Sequence, residues 1–267
     1  TPDFAHFDPV MLCCQAGANL LIEKPLAMNV VEAQNMVNMI QKAGILCQVA
    51  YTNRWNPPYV VAKNLISSGQ LGEISSLNAR INNAISTPTM MLSWAEKSSP
   101  AWFLMTHAFD IARYLSEDEP IEVFAKGVKK KLVALGINTF DTIHAIFQLS
   151  SGASLFIESS WILPNGMPLN FDFKFEIIGT ESSLMVDTHD QGLHLTTTEK
   201  LTHPVSLFVK RYGKYVGHLQ AMFDSFFDSI IQNETPIANE IDGLRAVLAI
   251  DAVHRSLDSG RPEKITF

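Results

Sequence analysis

The chain reads as an α/β segment followed by an α+β domain: part of a doubly wound parallel sheet, then a large, mainly antiparallel open sheet flanked by helices. Three observations predict this. Helices and short continuous apolar strands alternate over the first fifty residues, the mark of a parallel sheet covered on both faces. Beyond about residue 120, strand-like segments recur with glycines between them. Two amphipathic helices close the chain. The expected domains are therefore 1–50 and 51–267, with the closing helices free to pack back on the first.

The elements follow in order. Asp8 can cap a helix through Ala16, ended by Gly17. Residues 20–23 then make a buried strand. Asn29 or a neighbour starts a second helix, with Val31, Ala33, Met36, Val37, Met39 and Ile40 at helical spacing and Lys42 near its end. Gly44 stops it before a second strand at 45–50. Pro57-Pro58 opens a helix to Ile66, and Gly72 precedes a strand over 74–81. Residues 82–100 lack clean periodicity and read as a loop over a cleft, with a helix at 102–115 after them. Strands follow at 121–128, 142–148, 153–161, 172–178, 184–186 and 193–197, and helices at 216–232 and 241–259, the last closed by Gly260.

Composition excludes several functions. With 267 residues, 47% of them hydrophobic and 18% charged, the chain can bury a large core. A net charge of −7 and a single basic run, Lys129-Lys130-Lys131, argue against a nucleic-acid surface. No apolar run approaches the length that spans a bilayer. Cys13, Cys14 and Cys47 form neither a CxxC pair nor an even framework, which indicates a reducing, cytoplasmic setting. Asp187, His189, Asp190 and His194 invite a metal reading, but the ordinary zinc spacings are absent and Asp190-Gln191-Gly192 reads as a hairpin turn, so no metal is assigned.

The most informative feature is Glu23-Lys24-Pro25. A lysine at the end of a buried strand has its ammonium at the carboxyl edge of the sheet, where open α/β folds bind ligands. The proline fixes its own φ and restricts the lysine backbone, so the lysine is stiffly placed. Alone, such a lysine would read as a solvated strand end. A run of further motifs changes that reading. They are Thr1-Pro2 with His6, Ala16-Gly17 before Leu21-Ile22-Glu23-Lys24-Pro25-Leu26-Ala27, Asn53-Arg54-Trp55-Asn56-Pro57, Gly69-Gln70-Leu71-Gly72-Glu73-Ile74, His107-Ala108-Phe109-Asp110, Glu176-Ile177-Ile178-Gly179-Thr180-Glu181 and Asp242-Gly243-Leu244-Arg245.

In that order and spacing the chain resembles, nearly end to end, the glucose–fructose oxidoreductase and inositol dehydrogenase family, Gfo/Idh/MocA. The resemblance implies an NAD- or NADP-dependent oxidoreductase acting on a sugar, cyclitol or related polyol. It implies a Rossmann domain followed by a substrate domain whose open sheet makes homodimers or homotetramers. Lys24 matches the lysine that polarises the reacting oxygen, and His107 the general base or acid. Thr1, Pro2, His6, Glu23, Lys24 and Pro25 match positions around the nicotinamide. Asn53, Arg54, Trp102 and His107 match substrate-side positions.

Two departures stand out. Relatives commonly carry an aspartate four residues before the histidine; here it is Phe103, which points to a different substrate or proton relay. These residues also contain no GxGxxG loop to hold a pyrophosphate; at about 30 residues per βαβ unit, relatives carry on the order of 60–70 residues before the Thr1-Pro2 position. An alternative reading is a truncated, non-catalytic paralogue that dimerises and binds a sugar-like ligand or a partner.

Overall fold

The computed structural model describes residues 1–204 and 208–267. Helix α1 (Phe7–Ala16), strand β1 (Leu20–Ile22), helix α2 (Val30–Ala43) and strand β2 (Cys47–Val49) form the leading α/β unit. The two strands pair in parallel, Leu20 opposite Cys47. Asn29 caps α2 by accepting the Glu32 N–H, and Gly44 ends it in the left-handed region. Helix α1 differs in detail from the expectation. It starts at Phe7 behind His6, which makes no side-chain cap, and Asp8 sits within the first turn.

A 3₁₀ turn (Thr52–Trp55) and α3 (Pro57–Ser67) lead to β3 (Ile74–Ala84). The stretch read as a loop is partly ordered: β3 runs on to Ala84, and a π-helical turn (Thr87–Met91) and a 3₁₀ turn (Ala95–Lys97) follow. The helix expected from 102 is likewise compound. A π-helical turn (Ala101–Met105) precedes α4 (Thr106–Ser116). Single π turns have no periodic signature for a pattern reading to detect.

After α4 come β4 (Pro120–Val128), the short α5 (Lys131–Ala134), β5 (Thr142–Leu149), β6 (Ser154–Leu163), β7 (Phe171–Gly179) and β8 (Ser183–Asp187). The triple lysine is a helix start, where the Asp141 carboxylate accepts the backbone N–H groups of Lys130, Lys131 and Leu132. Two-residue strands β9 (Leu195–Thr196) and β10 (Leu201–Thr202) form one small hairpin. Strands β11 (Val209–Arg211) and β12 (Lys214–Val216) form another. The expected 193–197 strand shrinks to that first pair. Helices α6 (His218–Gln232) and α7 (Glu240–Ser259) and strand β13 (Glu263–Lys264) close the chain.

The large sheet has seven strands in the order β13-β4-β5-β6-β3-β7-β8. Only β3 and β6 are parallel; the other pairs are antiparallel. Its inner face carries Leu77, Phe147, Ile157, Phe175 and Trp161, all buried. Helix α7 packs on both β4 and α2, and so ties the sheet to the leading unit. Gly243 permits that approach, because a Cβ there would meet Leu26 and Val49 at 3.0 Å. The Val49 N–H donates to Ala238 O at 2.8 Å across the same junction.

Candidate active site

The residue after β1 and the first turn of α4 face one cavity of about 450 Å³. Thr1, Asp3, Glu23 and Lys24 line one side of it, Asn53 and Asn56 another, and Phe103 and His107 the third. Ile81, Trp94, Phe171 and Phe173 add an apolar wall. A carboxyl-edge lysine and a helical histidine thus line one partly aromatic cavity.

Lys24 is 8% exposed, and its placement is over-determined. Nζ donates to Phe103 O at 2.6 Å and lies 4.2 Å from the Phe103 ring centroid, a cation–π contact. The His6 ring pins the backbone beyond it through Nδ1 and Pro25 O, 2.8 Å apart. The Lys24–Pro25 peptide is cis. Burial lowers the ammonium's pKa against the opposing fields of Asp3 and Glu23. Asp3 is buried too. Desolvation raises its carboxyl, while Lys24 and the Ser98 hydroxyl, donating at 2.7 Å, pull it back.

His107 projects from the first turn of α4, four residues and one helical turn after Phe103. Its Nδ1 is buried and has no hydrogen-bond partner among the described residues. Burial pushes the imidazole's pKa well below its ordinary value, and the Lys24 charge adds to the shift. The ring is therefore neutral near pH 7 and able to accept a proton. Phe103 completes this face, edge-on to Trp94 with ring centroids 6.1 Å apart and tilted on Trp161 at 6.3 Å. Trp161 itself is core, its indole N–H donating to Phe140 O.

Thr1, Glu23, Lys24, Asn53 and His107 come together at the cavity; Pro2, His6 and Pro25 stand behind its wall, outside the lining. Arg54 and Trp102, expected on the substrate side, are not among the residues that line this cavity. Arg54 donates from Nε and Nη2 to Asp110 at 3.0 and 2.6 Å and from Nη1 to Asp242 at 3.1 Å. Its guanidinium is thus committed to anchoring α4 to the start of α7. Trp102 stacks on His254 with centroids 5.4 Å apart. Asp3, Asn56, Trp94, Phe171, Phe173, Thr188 and His218 line the cavity without having been singled out. Of these, Phe171 and Phe173 had a usable signal: they alternate in step with the buried face of β7.

Comparison with known proteins bears on this arrangement. Residues 1–51 match the oxidoreductase family with an NAD-binding Rossmann fold, and residues 59–185 match the GFO/IDH/MocA C-terminal domain. The chain is 26% identical over 271 residues to a scyllo-inositol 2-dehydrogenase (NAD(+)) of Bacillus subtilis, covering 99% of this chain and 76% of that protein. It is 25% identical over 268 residues to a myo-inositol 2-dehydrogenase of Thermotoga maritima, covering 97% and 76%. In fold it is similar to the crystal structure of the Lactobacillus plantarum myo-inositol 2-dehydrogenase, with a TM-score of 0.84 at 18% identity, covering 100% of this chain and 79% of that one. It is also similar to the Lactobacillus casei scyllo-inositol dehydrogenase with bound NAD(H) and scyllo-inositol, at a TM-score of 0.80 and 17% identity, covering 99% and 78%.

Proposed function

The chain belongs to the Gfo/Idh/MocA oxidoreductase family, and on that premise we propose that it interconverts a secondary alcohol and a ketone on a sugar, cyclitol or related polyol, with NAD or NADP as hydride partner. One observation carries this reading: Lys24 and His107 line the same cavity at the carboxyl edge of β1. The residues present fit the nicotinamide end of such a cofactor. Thr1, Glu23 and Lys24 offer the wall beside that edge, and His107 Nδ1 is a buried polar atom without a partner among the described residues. No GxGxxG loop occurs in the sequence, so no pyrophosphate contact is assigned. A bound nicotinamide supplies the acceptor or donor of hydride.

The chain's own groups handle the oxygen and its proton. In the oxidative direction the neutral His107 imidazole takes the hydroxyl proton, and the Lys24 ammonium stabilises the negative charge that builds on that oxygen. One of the three lysine N–H donors is held by Phe103 O, which leaves two for the substrate. Burial strengthens the lysine's contribution, because charge inside the cavity is poorly screened, while it weakens the imidazole as a base. Asn53, Asn56 and Asn83 are among the neutral hydrogen-bonding groups of the lining and would hold further hydroxyls. The division into a nucleotide domain over 1–50 and a substrate domain over 51–267 belongs to the same reading. So does assembly into a homodimer or homotetramer through the outward face of the seven-stranded sheet, where Ile146, Ile178 and Met185 are exposed.

The test is steady-state oxidation of a panel of inositols and aldoses with each cofactor. Lys24→Met should lower kcat on the order of 10²–10³-fold and His107→Asn on the order of 10²–10⁴-fold, with thermal stability retained. Wild-type kcat in either variant refutes the assigned role. A wild-type protein that binds cyclitols but reduces neither cofactor supports the non-catalytic binding alternative instead.

A further inference from the structure

A second group of ligand-bearing side chains lies outside the cavity, on the segment after β8. Asp190, His194 and His203 each place a ligand atom so that all three lie within 4.8 Å of one another. This is not the set the sequence suggested. Asp187 is taken by Lys174, 2.8 Å away, and by the His189 backbone N–H. His203 enters because β9 and β10 pair with Thr202 opposite Leu195, which returns residue 203 to the position across from 194. A ligand recruited across a hairpin has no local spacing to read.

The nitrogen chemistry suits an ion. His203 Nδ1 lies 3.2 Å from His189 O. Donating its proton to that carbonyl fixes the tautomer that leaves Nε2 with a free lone pair, the usual outer support of a metal-binding imidazole. The His194 and His203 rings stack with centroids 4.6 Å apart. Two imidazoles on one tetrahedral zinc at ordinary Zn–N lengths hold their centroids about 5 Å apart. Asp190 Oδ1, 2.9 Å from His194 Nε2, supplies the anionic oxygen. The plain alternative, an exposed Asp190–His194 ion pair, accounts for neither the second imidazole stacked on the first nor the oriented His203 tautomer. His189 adds a separate sign: its ring is 5.0 Å from that of His203, and its Nε2 is buried without a partner among the described residues.

We propose that Asp190, His194 and His203 bind a divalent transition-metal ion of the zinc class. Two imidazoles and a carboxylate are a borderline donor set that suits such ions over magnesium or calcium. Three protein ligands leave a coordination position for water. The ion would clamp the 188–203 segment at the cavity rim, since Thr188 and Gln191 line the cavity and Asp190 lines an adjoining one.

The experiment uses tag-free, chelator-stripped protein titrated with zinc chloride by calorimetry. One saturable site per chain is expected, weakened about tenfold or more in His194→Ala and in His203→Ala. Cobalt(II) should give a visible ligand-field band that is lost in the double variant. Hydrogen exchange across 188–203 should slow with zinc in the wild type only. Absence of saturable binding, or zinc binding unchanged in His194→Ala/His203→Ala, overturns the proposal. His194 is exposed and His203 half-buried, and an unaltered urea midpoint for the double variant shows that it folds. The outcome is independent of the proposed oxidoreduction, because neither residue lines the Lys24–His107 cavity.

Discussion

Replacing Arg54 separates a structural role from a substrate-binding one. Arg54 and Asp110 side chains are 3% and 2% exposed and meet through two hydrogen bonds. Arg54→Met keeps the apolar stem and deletes the charge, leaving Asp110 buried with its main partner gone. Removing one member of a buried pair costs about 3–5 kcal/mol, a large share of a total stability of about 5–15 kcal/mol. Asp242 suffers less, because Arg113 Nη1 still donates to it at 2.6 Å. Adding Asp110→Asn removes the stranded charge, so the double variant should recover about 2 kcal/mol or more relative to the sum of the singles. Urea unfolding of the four species measures both quantities. A single variant within about 1 kcal/mol of wild type, with KM raised instead, would overturn the anchoring account and restore Arg54 to the substrate side.

Two further outcomes follow from packing and titration. Gly179 lies so close to the β3 side of the sheet that a Cβ would sit 2.1 Å from Leu71 O; Gly179→Ala should cost about 1–3 kcal/mol in urea unfolding, and a change below about 0.5 kcal/mol would count against this packing. His254, held by the Ser99 hydroxyl and the Trp102 ring, has its pKa pushed by burial down to about 4. Its folded pKa lies below the unfolded value, so its contribution is intact above about pH 6.5 and falls away as pH drops toward 4, by about 3 kcal/mol at most. His107 acts in the same direction. His254→Gln should flatten the acid limb of stability against pH between those values, and an unchanged slope would refute the assignment.

The parts of the fold legible in the sequence were those written in local pattern. Gly44, Asn29 and Gly260 mark helix ends through φ and hydrogen bonding that a few residues decide. The alternating strands announced the antiparallel sheet because one face must be apolar. What escaped depends on distant partners. The parallel pairing of β3 with β6 inside the otherwise antiparallel seven-stranded sheet is set by chain crossing. The fate of Arg54 depends on Asp110 and Asp242, 56 and 188 residues away, and a motif carrying an arginine cannot show which carboxylates close on it. Lys24 and His107 were singled out through the motifs that carry the family resemblance, and both line the one cavity. The alternation of Phe171 and Phe173 marked them as inward-facing on β7, but the same alternation describes core and cavity until the neighbouring elements are placed.

Phe103 shows how backbone and side chain divide the work in this cavity. A buried lysine needs compensation, and here Phe103 supplies part of it twice, through its carbonyl and through its ring face. The carbonyl comes from the π-helical turn and does not depend on the identity of the side chain. The ring does, and it lies one turn from His107 on the same helical face. The histidine therefore has an apolar neighbour where a carboxylate would raise its basicity, which agrees with its unpartnered Nδ1 and its depressed pKa. In the proposed reaction, a base so weakened in the resting site would gain most from a substrate hydroxyl that Lys24 makes more acidic. Proton removal and charge stabilisation are then coupled through one residue, and a substrate that presents an apolar face to Phe103 and Trp94 while directing a hydroxyl at Lys24 fits that coupling best.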